Sequence, residues 1–304
     1  MRIILIGQAA FGEKALEALL NKNEDVVGVF SPPDPPDKPS GMKVLAENKG
    51  IPVFQPKKMK EPEVYDIFVK LQPDLNVMAF VTDIVPQRIL DYPRLKTIQY
   101  HPSLLPKHRG GSAIHWAVIN GETKTGLTIF WPDKGIDTGP IILQKEVDIL
   151  PDDTTGSVYF NKLFPLGVEA IVEAVEMVRK GIAPRIPQDD TQATYEPLCT
   201  EELTVIKWTK PVHQVYNLIR GANPSPAAWT IFKGNKIKIF DSSIEPTQNQ
   251  AEFGEVLSID SEGFVVYCNG GAIRIKRVQP AGSGKIKSSE FITNSGLKVG
   301  DKLG

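Results

Sequence analysis

The stretch RIILIGQAAFGEKALEALLNKNEDVVGVFS, residues 2–31, decides the fold. RIILIG is continuously apolar and stops at a glycine, as a strand buried on both faces does. FGEKALEALLNKN puts Phe11, Ala15, Leu16 and Leu19 on one helical face. DVVGVFS is a second apolar run. Strand, helix and strand at this spacing predict a crossover unit whose two strands lie parallel in one sheet.

The alternation continues downstream. MKVLAENKG reads as a short helix stopped by Gly50, PVFQP as a strand, EPEVYDIFVKLQ as a helix and DLNVMAF as a strand. PQRILDY is a short helix, LKTIQYH a fifth strand, and GSAIHWAVING a helix stopped by Gly121. TGLTIFWP and GPIILQKEVDI read as two further strands with no helix between them, an antiparallel edge. Residues 154–181 read as a helix with a threonine start, a break near Pro165–Gly167 and a stop at Gly181. IAPRIPQDDTQATYEP, residues 182–197, reads as a connection. Beyond residue 200, short strands alternate with Gly/Asn/Asp/Ser turns, which predicts a small antiparallel domain. The expected class is α/β: a Rossmann-like, mostly parallel sheet in residues 1–200 and an OB-like β-barrel in residues 201–304.

Composition excludes several functions. Lys+Arg number 35 against 36 Asp+Glu, a formal charge of −1. That balance gives no bulk pull toward nucleic acid or an acidic membrane surface. Two cysteines, Cys199 and Cys268, make neither a disulfide framework nor a metal set, and fit a reducing compartment. The first apolar run is too short for a signal sequence and no run is long enough to span a membrane. A cytoplasmic protein is expected.

GQAAFGEK, after the first strand, is neither dinucleotide fingerprint nor P-loop: Ala9 stands where the second glycine belongs, and no Ser/Thr follows Lys14. His101, His108 and His115 recur every seven residues, which is not the i, i+4 face of a helical zinc site, and Pro102 and Pro106 preclude one continuous helix there. No metal is expected. His101 ends the fifth strand, with Gln99 on the same side by alternation, at the sheet edge where open α/β folds keep their ligands. Downstream, DKGIDTGPIIL holds two aspartates. Asp133 reads as a turn former; Asp137, between glycine turns before an apolar strand, is less easily explained that way.

HPSLLPKHRG (101–110) and GIDTG (135–139) closely resemble the family that uses 10-formyltetrahydrofolate. Its pattern is His-x-Ser-Leu-Leu-Pro-x-x-Arg-Gly followed by Gly-Leu-Asp-Thr-Gly. Methionyl-tRNA formyltransferase, glycinamide ribonucleotide transformylase and the hydrolase domain of 10-formyltetrahydrofolate dehydrogenase share it. VVGVF, KVLAE, GIPVFQP and IRGANPSPAAW extend the resemblance over nearly the whole chain. TIFW and LFPLG are most similar to the hydrolase domain, although a chain of 304 residues has no room for that enzyme's carrier and aldehyde dehydrogenase domains.

The resemblance implies formyl transfer or hydrolysis from 10-formyltetrahydrofolate, with tetrahydrofolate released and no metal involved. It implies catalysis by His101 and Asp137. Gln99 joins them as a candidate, standing where the transferases carry Asn and the hydrolase domain an apolar residue. It also implies a folate site against residues 77–86, with Met78, Ala79, Phe80, Val81, Asp83, Ile84 and Val85, together with Asp133 and Gly135. The acceptor, water or an amine, stays open. The tRNA enzymes usually carry a longer, basic insertion at residues 31–43, where this chain has only Lys38 and Lys43, so tRNA is the less expected acceptor. A sugar-nucleotide amine formyltransferase would share the same centre with a different acceptor pocket, and a non-catalytic folate-binding module would share the folate site alone.

Overall fold

The computed structural model describes residues 1–248 and 250–304. The N-terminal elements are β1 (Arg2–Gly7), α1 (Ala9–Asn21), β2 (Asp25–Phe30), α2 (Gly41–Asn48), β3 (Val53–Phe54), α3 (Pro62–Leu71) and β4 (Leu75–Ala79). After them come α4 (Gln87–Leu90), β5 (Thr97–His101), α5 (Ala113–Ile119), β6 (Lys124–Phe130) and β7 (Ile141–Asp148). One seven-stranded sheet runs β3-β2-β1-β4-β5-β6-β7. β1, β2, β3, β4 and β5 pair in parallel, and β6 pairs antiparallel to β5.

The two-sided burial expected of the opening strand is present: Ile3, Ile4, Leu5 and Ile6 are all buried. So is the α1 face of Phe11, Ala15, Leu16 and Leu19. The glycines of GQAAFG serve packing. A Cβ on Gly7 would lie 2.7 Å from the Ala79 carbonyl oxygen, and one on Gly12 would lie 2.9 Å from Met42 Sδ. Bare backbone lets β1 lie this close to β4 and α1 this close to α2.

The long C-terminal helix of the sheet differs from expectation. α6 (Thr155–Val158) opens with a reciprocal cap between Thr154 and Ser157. A wide, π-helical turn at Tyr159–Leu163 follows, and then α7 (Phe164–Arg179). The interruption therefore precedes Pro165. Pro165 follows that turn directly, at the start of α7, and the helical run continues through it without a break. Gly167 is needed for closeness rather than for a break, because a Cβ there would meet Tyr100 Cε2 at 2.7 Å and Phe11 Cζ at 3.0 Å.

Contacts group Met1–Gly110, Gly126–Val147 and Phe160–Tyr195 as one compact unit, and Gly111–Thr125, Asp148–Tyr159 and Glu196–Gly304 as another. The second holds α5, α6 and α8 (Val212–Gly221), then β8 (Ala228–Phe232), β9 (Asn235–Ile239), β10 (Ser242–Glu245) and β11 (Val256–Asp260). β12 (Gly263–Cys268), β13 (Gly271–Ile275), β14 (Arg277–Pro280), β15 (Ile286–Lys287) and α9 (Ser288–Ser295) complete it. Its strands form two four-stranded sheets, β10-β13-β12-β11 and β15-β14-β9-β8, antiparallel throughout. Both contribute to one core that includes Phe232, Ile239, Phe264, Val266 and Ile273. Cys199 and Cys268 are free thiols, and burial pushes them up to about 11 and about 12. At neutral pH they are protonated and poor nucleophiles. Among the described residues, no helix is long and apolar enough to cross a membrane.

Candidate active site

β1, β2, β4 and β5 are parallel, so their carboxyl ends share one edge of the sheet. The order runs outward from β1 in both directions, through β2 to β3 and through β4 to β5, and open α/β folds hold ligands outside such a reversal. A crevice lies there, lined by Gly7, Gln8, Phe30, Ser31, Met59 and Phe80 among others. The stretch expected to meet folate begins at this edge. Met78 and Ala79 are buried in β4, while Phe80, with φ +61°, turns the chain out of the sheet. Val81 is half-buried, Ile84 is 78% exposed and Val85 is buried again. Asp83 anchors this loop: Oδ2 accepts from Met59 N at 2.7 Å, and Oδ1 lies 3.5 Å from Lys58 Nζ.

Gln99 and His101 project from the same side of β5. Tyr100, on the opposite side, packs against Phe11 with ring centroids 4.3 Å apart. His101 is buried. Its Nε2 lies 2.8 Å from the His108 carbonyl oxygen. A carbonyl can only accept, so Nε2 carries a proton and Nδ1 is the nitrogen turned toward Asp137. Asp137 Oδ2 lies 3.4 Å from Nδ1 and accepts from Gly110 N at 2.8 Å. Gln99 Nε2 donates to Asp137 Oδ1 at 3.4 Å. The carboxylate is buried and needs such partners.

Residue 137 adopts φ +55°, a left-handed conformation that Asp tolerates better than most side chains. The turn before it is built by Asp133, whose Oδ1 accepts from Gly135 N at 3.0 Å and from Thr138 Oγ1 at 2.5 Å. The structure thus brings Gln99, His101 and Asp137 together, while the Asp133 carboxylate and Gly135 shape the loop that delivers Asp137. Gly139 closes that loop, since a Cβ there would lie 1.8 Å from the Trp131 carbonyl oxygen.

The loop after His101 is bolted to the sheet. Thr128 Oγ1 donates to Ser103 O at 2.6 Å and accepts from Leu105 N at 3.1 Å. Gln144 Nε2 donates to Leu105 O at 2.8 Å. The segment read as a mere connection supplies the remaining support. Thr194 Oγ1 accepts from His108 N at 2.8 Å, and Arg109 N donates to Thr194 O at 3.0 Å. The Arg109 guanidinium, 2% exposed, donates to Gln188 Oε1, to Tyr195 Oη at 2.7 Å and to Asp190 Oδ1 at 2.6 Å. Burial opposes its charge, but the hydrogen bonds to Asp190 and Tyr195 outweigh burial and hold Arg109 above its ordinary pKa. Residues 182–195 have no periodicity that marks them as part of a site. Arg109 alone carried a signal, as a member of the His-to-Gly motif.

Chemically, the arrangement is an imidazole and a carboxylate positioned to share a proton, flanked by an amide donor. Among the described residues, no group of three or more His, Cys, Asp or Glu side chains could hold a metal ion.

Residues 1–175 match the Formyl transferase family, and residues 199–296 match Formyl transferase, C-terminal domain. Cytosolic 10-formyltetrahydrofolate dehydrogenase of Mus musculus is 38% identical over 310 residues, covering 97% of this chain but 34% of that protein. The chain thus spans about a third of the dehydrogenases it matches. Methionyl-tRNA formyltransferase of Ruminiclostridium cellulolyticum is 37% identical over 313 residues and covers 100% of both chains. HypX from Aquifex aeolicus, solved in complex with tetrahydrofolic acid, shares the fold at TM-score 0.71 and 19% identity, over 99% of this chain and 48% of that one. An N-formyltransferase from Helicobacter canadensis, in complex with folinic acid and dTDP-3-aminofucose, does so at TM-score 0.68 and 19% identity, over 90% and 98%. With a family model covering the parallel sheet and its site, and curated relatives matched along nearly the whole chain, this protein belongs to the formyl transferase family.

Proposed function

We propose that the chain takes the formyl group from 10-formyltetrahydrofolate and passes it to water or an amine at Gln99, His101 and Asp137. The observation that carries this reading is the approach of Asp137 Oδ2 to His101 Nδ1 at 3.4 Å, with the Gln99 amide on the other carboxylate oxygen. Catalytic hydrogen bonds are often long before substrate binds and tighten in the reacting complex. The names of the relatives support the folate: a dehydrogenase of 10-formyltetrahydrofolate, and a fold neighbour holding tetrahydrofolic acid. The crevice at the carboxyl ends of β1, β2 and β4 suits the pteridine, against the backbone of residues 77–86.

The acceptor O–H or N–H adds to the formyl carbon, and a tetrahedral oxyanion forms. The proton of the attacking O–H or N–H passes to the His101–Asp137 pair. The bond from carbon to N10 then breaks as N10 takes a proton from the pair. Tetrahydrofolate leaves with formate or the N-formyl acceptor. Nε2 is committed to the His108 carbonyl, so the exchanging proton belongs to the Nδ1–Oδ2 contact. One Gln99 N–H holds Asp137, which leaves the second for the oxyanion.

Hydrolysis is the first reading, supported by the 38% identity to the dehydrogenase. Transfer to an initiator tRNA amine is the second, favoured by the end-to-end match to a methionyl-tRNA formyltransferase. Consumption of 10-formyltetrahydrofolate with and without charged initiator tRNA, followed by product identification, separates them. Formate released at equal rates in both supports hydrolysis. N-formylmethionyl-tRNA accumulating in place of formate supports transfer. No consumption in either overturns both.

A further inference from the structure

We infer that Gln188 is a positioning residue for the site, a carboxamide clamp that sets where Asp137 meets His101. The inference rests on the reading of Gln99, His101 and Asp137 as the reacting centre. Gln188 belongs to no helix or strand and lies in the stretch that the sequence presents as a connection.

All four hydrogen-bonding positions of its carboxamide are used. Oε1 accepts from Arg109 Nε at 3.1 Å and from an Arg109 terminal nitrogen at 2.8 Å. Nε2 donates to Asp137 O at 2.9 Å and to Gly139 O at 2.7 Å. A guanidinium only donates and a carbonyl only accepts, so the orientation of the amide is dictated by its partners.

The clamp spans the two loops that carry the centre. On one side is Arg109, whose neighbour Gly110 donates its N–H to Asp137 Oδ2. On the other are the carbonyls flanking Thr138, one belonging to Asp137 itself. Residue 137 is held at φ +55°, a conformation L residues seldom adopt, and Gln188 binds the peptide that follows that torsion. Releasing these carbonyls frees the loop to rotate, and a shift near 1 Å at a reacting group costs about 10²-fold in rate.

Glutamate at this position separates the clamp from simple support of Arg109. It keeps the length and the acceptor for the guanidinium, but it sets an oxygen against two carbonyl oxygens. Leucine removes both functions. Gln188→Glu and Gln188→Leu are compared with wild type and Asp137→Asn for tetrahydrofolate release, folate KM and melting temperature. The expected result is a kcat loss of about 10²-fold in both Gln188 variants with folate KM within about twofold. The glutamate variant decides if the leucine variant does not fold. Wild-type kcat in Gln188→Glu, with Asp137→Asn inactive, overturns the clamp, as does a loss expressed in KM alone. Full activity in Asp137→Asn instead overturns the reading of the site itself, and the clamp with it.

Discussion

Asp137 reaches His101 from a loop whose shape depends on single residues: Asp133 closing the turn, residue 137 at φ +55°, and Gly139 passing under Trp131. The histidine and the aspartate were legible in the sequence through their motif, and Gln99 through strand alternation with His101. The bond from Gln99 to Asp137 was not legible, because alternation gives a side and not a partner. It changes what Gln99→Leu reports. That substitution keeps the volume, removes a donor from a buried carboxylate and removes the N–H proposed for the oxyanion. Loss of one such donor typically costs about 10²–10³ in kcat, or about 2.7–4 kcal/mol. The expected outcome is that loss with folate KM unchanged, measured by steady-state tetrahydrofolate release. An unchanged kcat takes Gln99 out of the chemistry.

At the scale of elements, the parallel strands and their helices were legible because hydrophobic runs and periodicity are local. Two features were not. The polar, proline-rich segment 182–195 has no period, yet its Gln188, Asp190, Thr194 and Tyr195 enclose Arg109 and His108. Its role lies in partners about 50 to 90 residues away, which no local pattern records. The other is Gly167, which read as a helix break but is an interior residue of α7. Alanine there gains about 1 kcal/mol in helix propensity. Its Cβ, however, would press on Tyr100 and Phe11 at 2.7–3.0 Å, and overpacking costs about 1–3 kcal/mol. The second effect is the larger. Gly167→Ala is expected to lower the stability read from urea unfolding by up to about 2 kcal/mol at unchanged m-value. Because Tyr100 backs the strand that carries Gln99 and His101, activity should fall as well. A stabilised variant would show that the ring cluster yields more easily than its geometry implies.

Over the whole molecule, the α/β class followed from the alternation of strands and helices, and the antiparallel C-terminal strands from the change in texture near residue 200. The interleaving of the two units along the chain did not, since α5 lies early in sequence and groups with late strands. In that second unit, half-buried His115 places Nε2 2.9 Å from Ser225 O. Burial lowers its pKa, and the backbone hydrogen bond opposes this less strongly. A histidine depressed in the folded state leaves the unfolded chain binding more protons at mildly acidic pH. Its contribution is therefore present above the unfolded value of about 6.5 and declines as pH falls below it. Urea unfolding between pH 7.5 and 5 should show a smaller loss of stability in His115→Gln than in wild type (a range set by that reference value). Equal losses would remove His115 from the acid response. The central claim is one coupled centre for formyl transfer from 10-formyltetrahydrofolate, and tetrahydrofolate release by wild type, His101→Ala, Asp137→Ala and the double variant tests it most directly. Wild type should release tetrahydrofolate, each single variant should lose nearly all of that rate, and the double variant should be little worse than either. Turnover that survives in Asp137→Ala, or losses that simply multiply in the double variant, would contradict it.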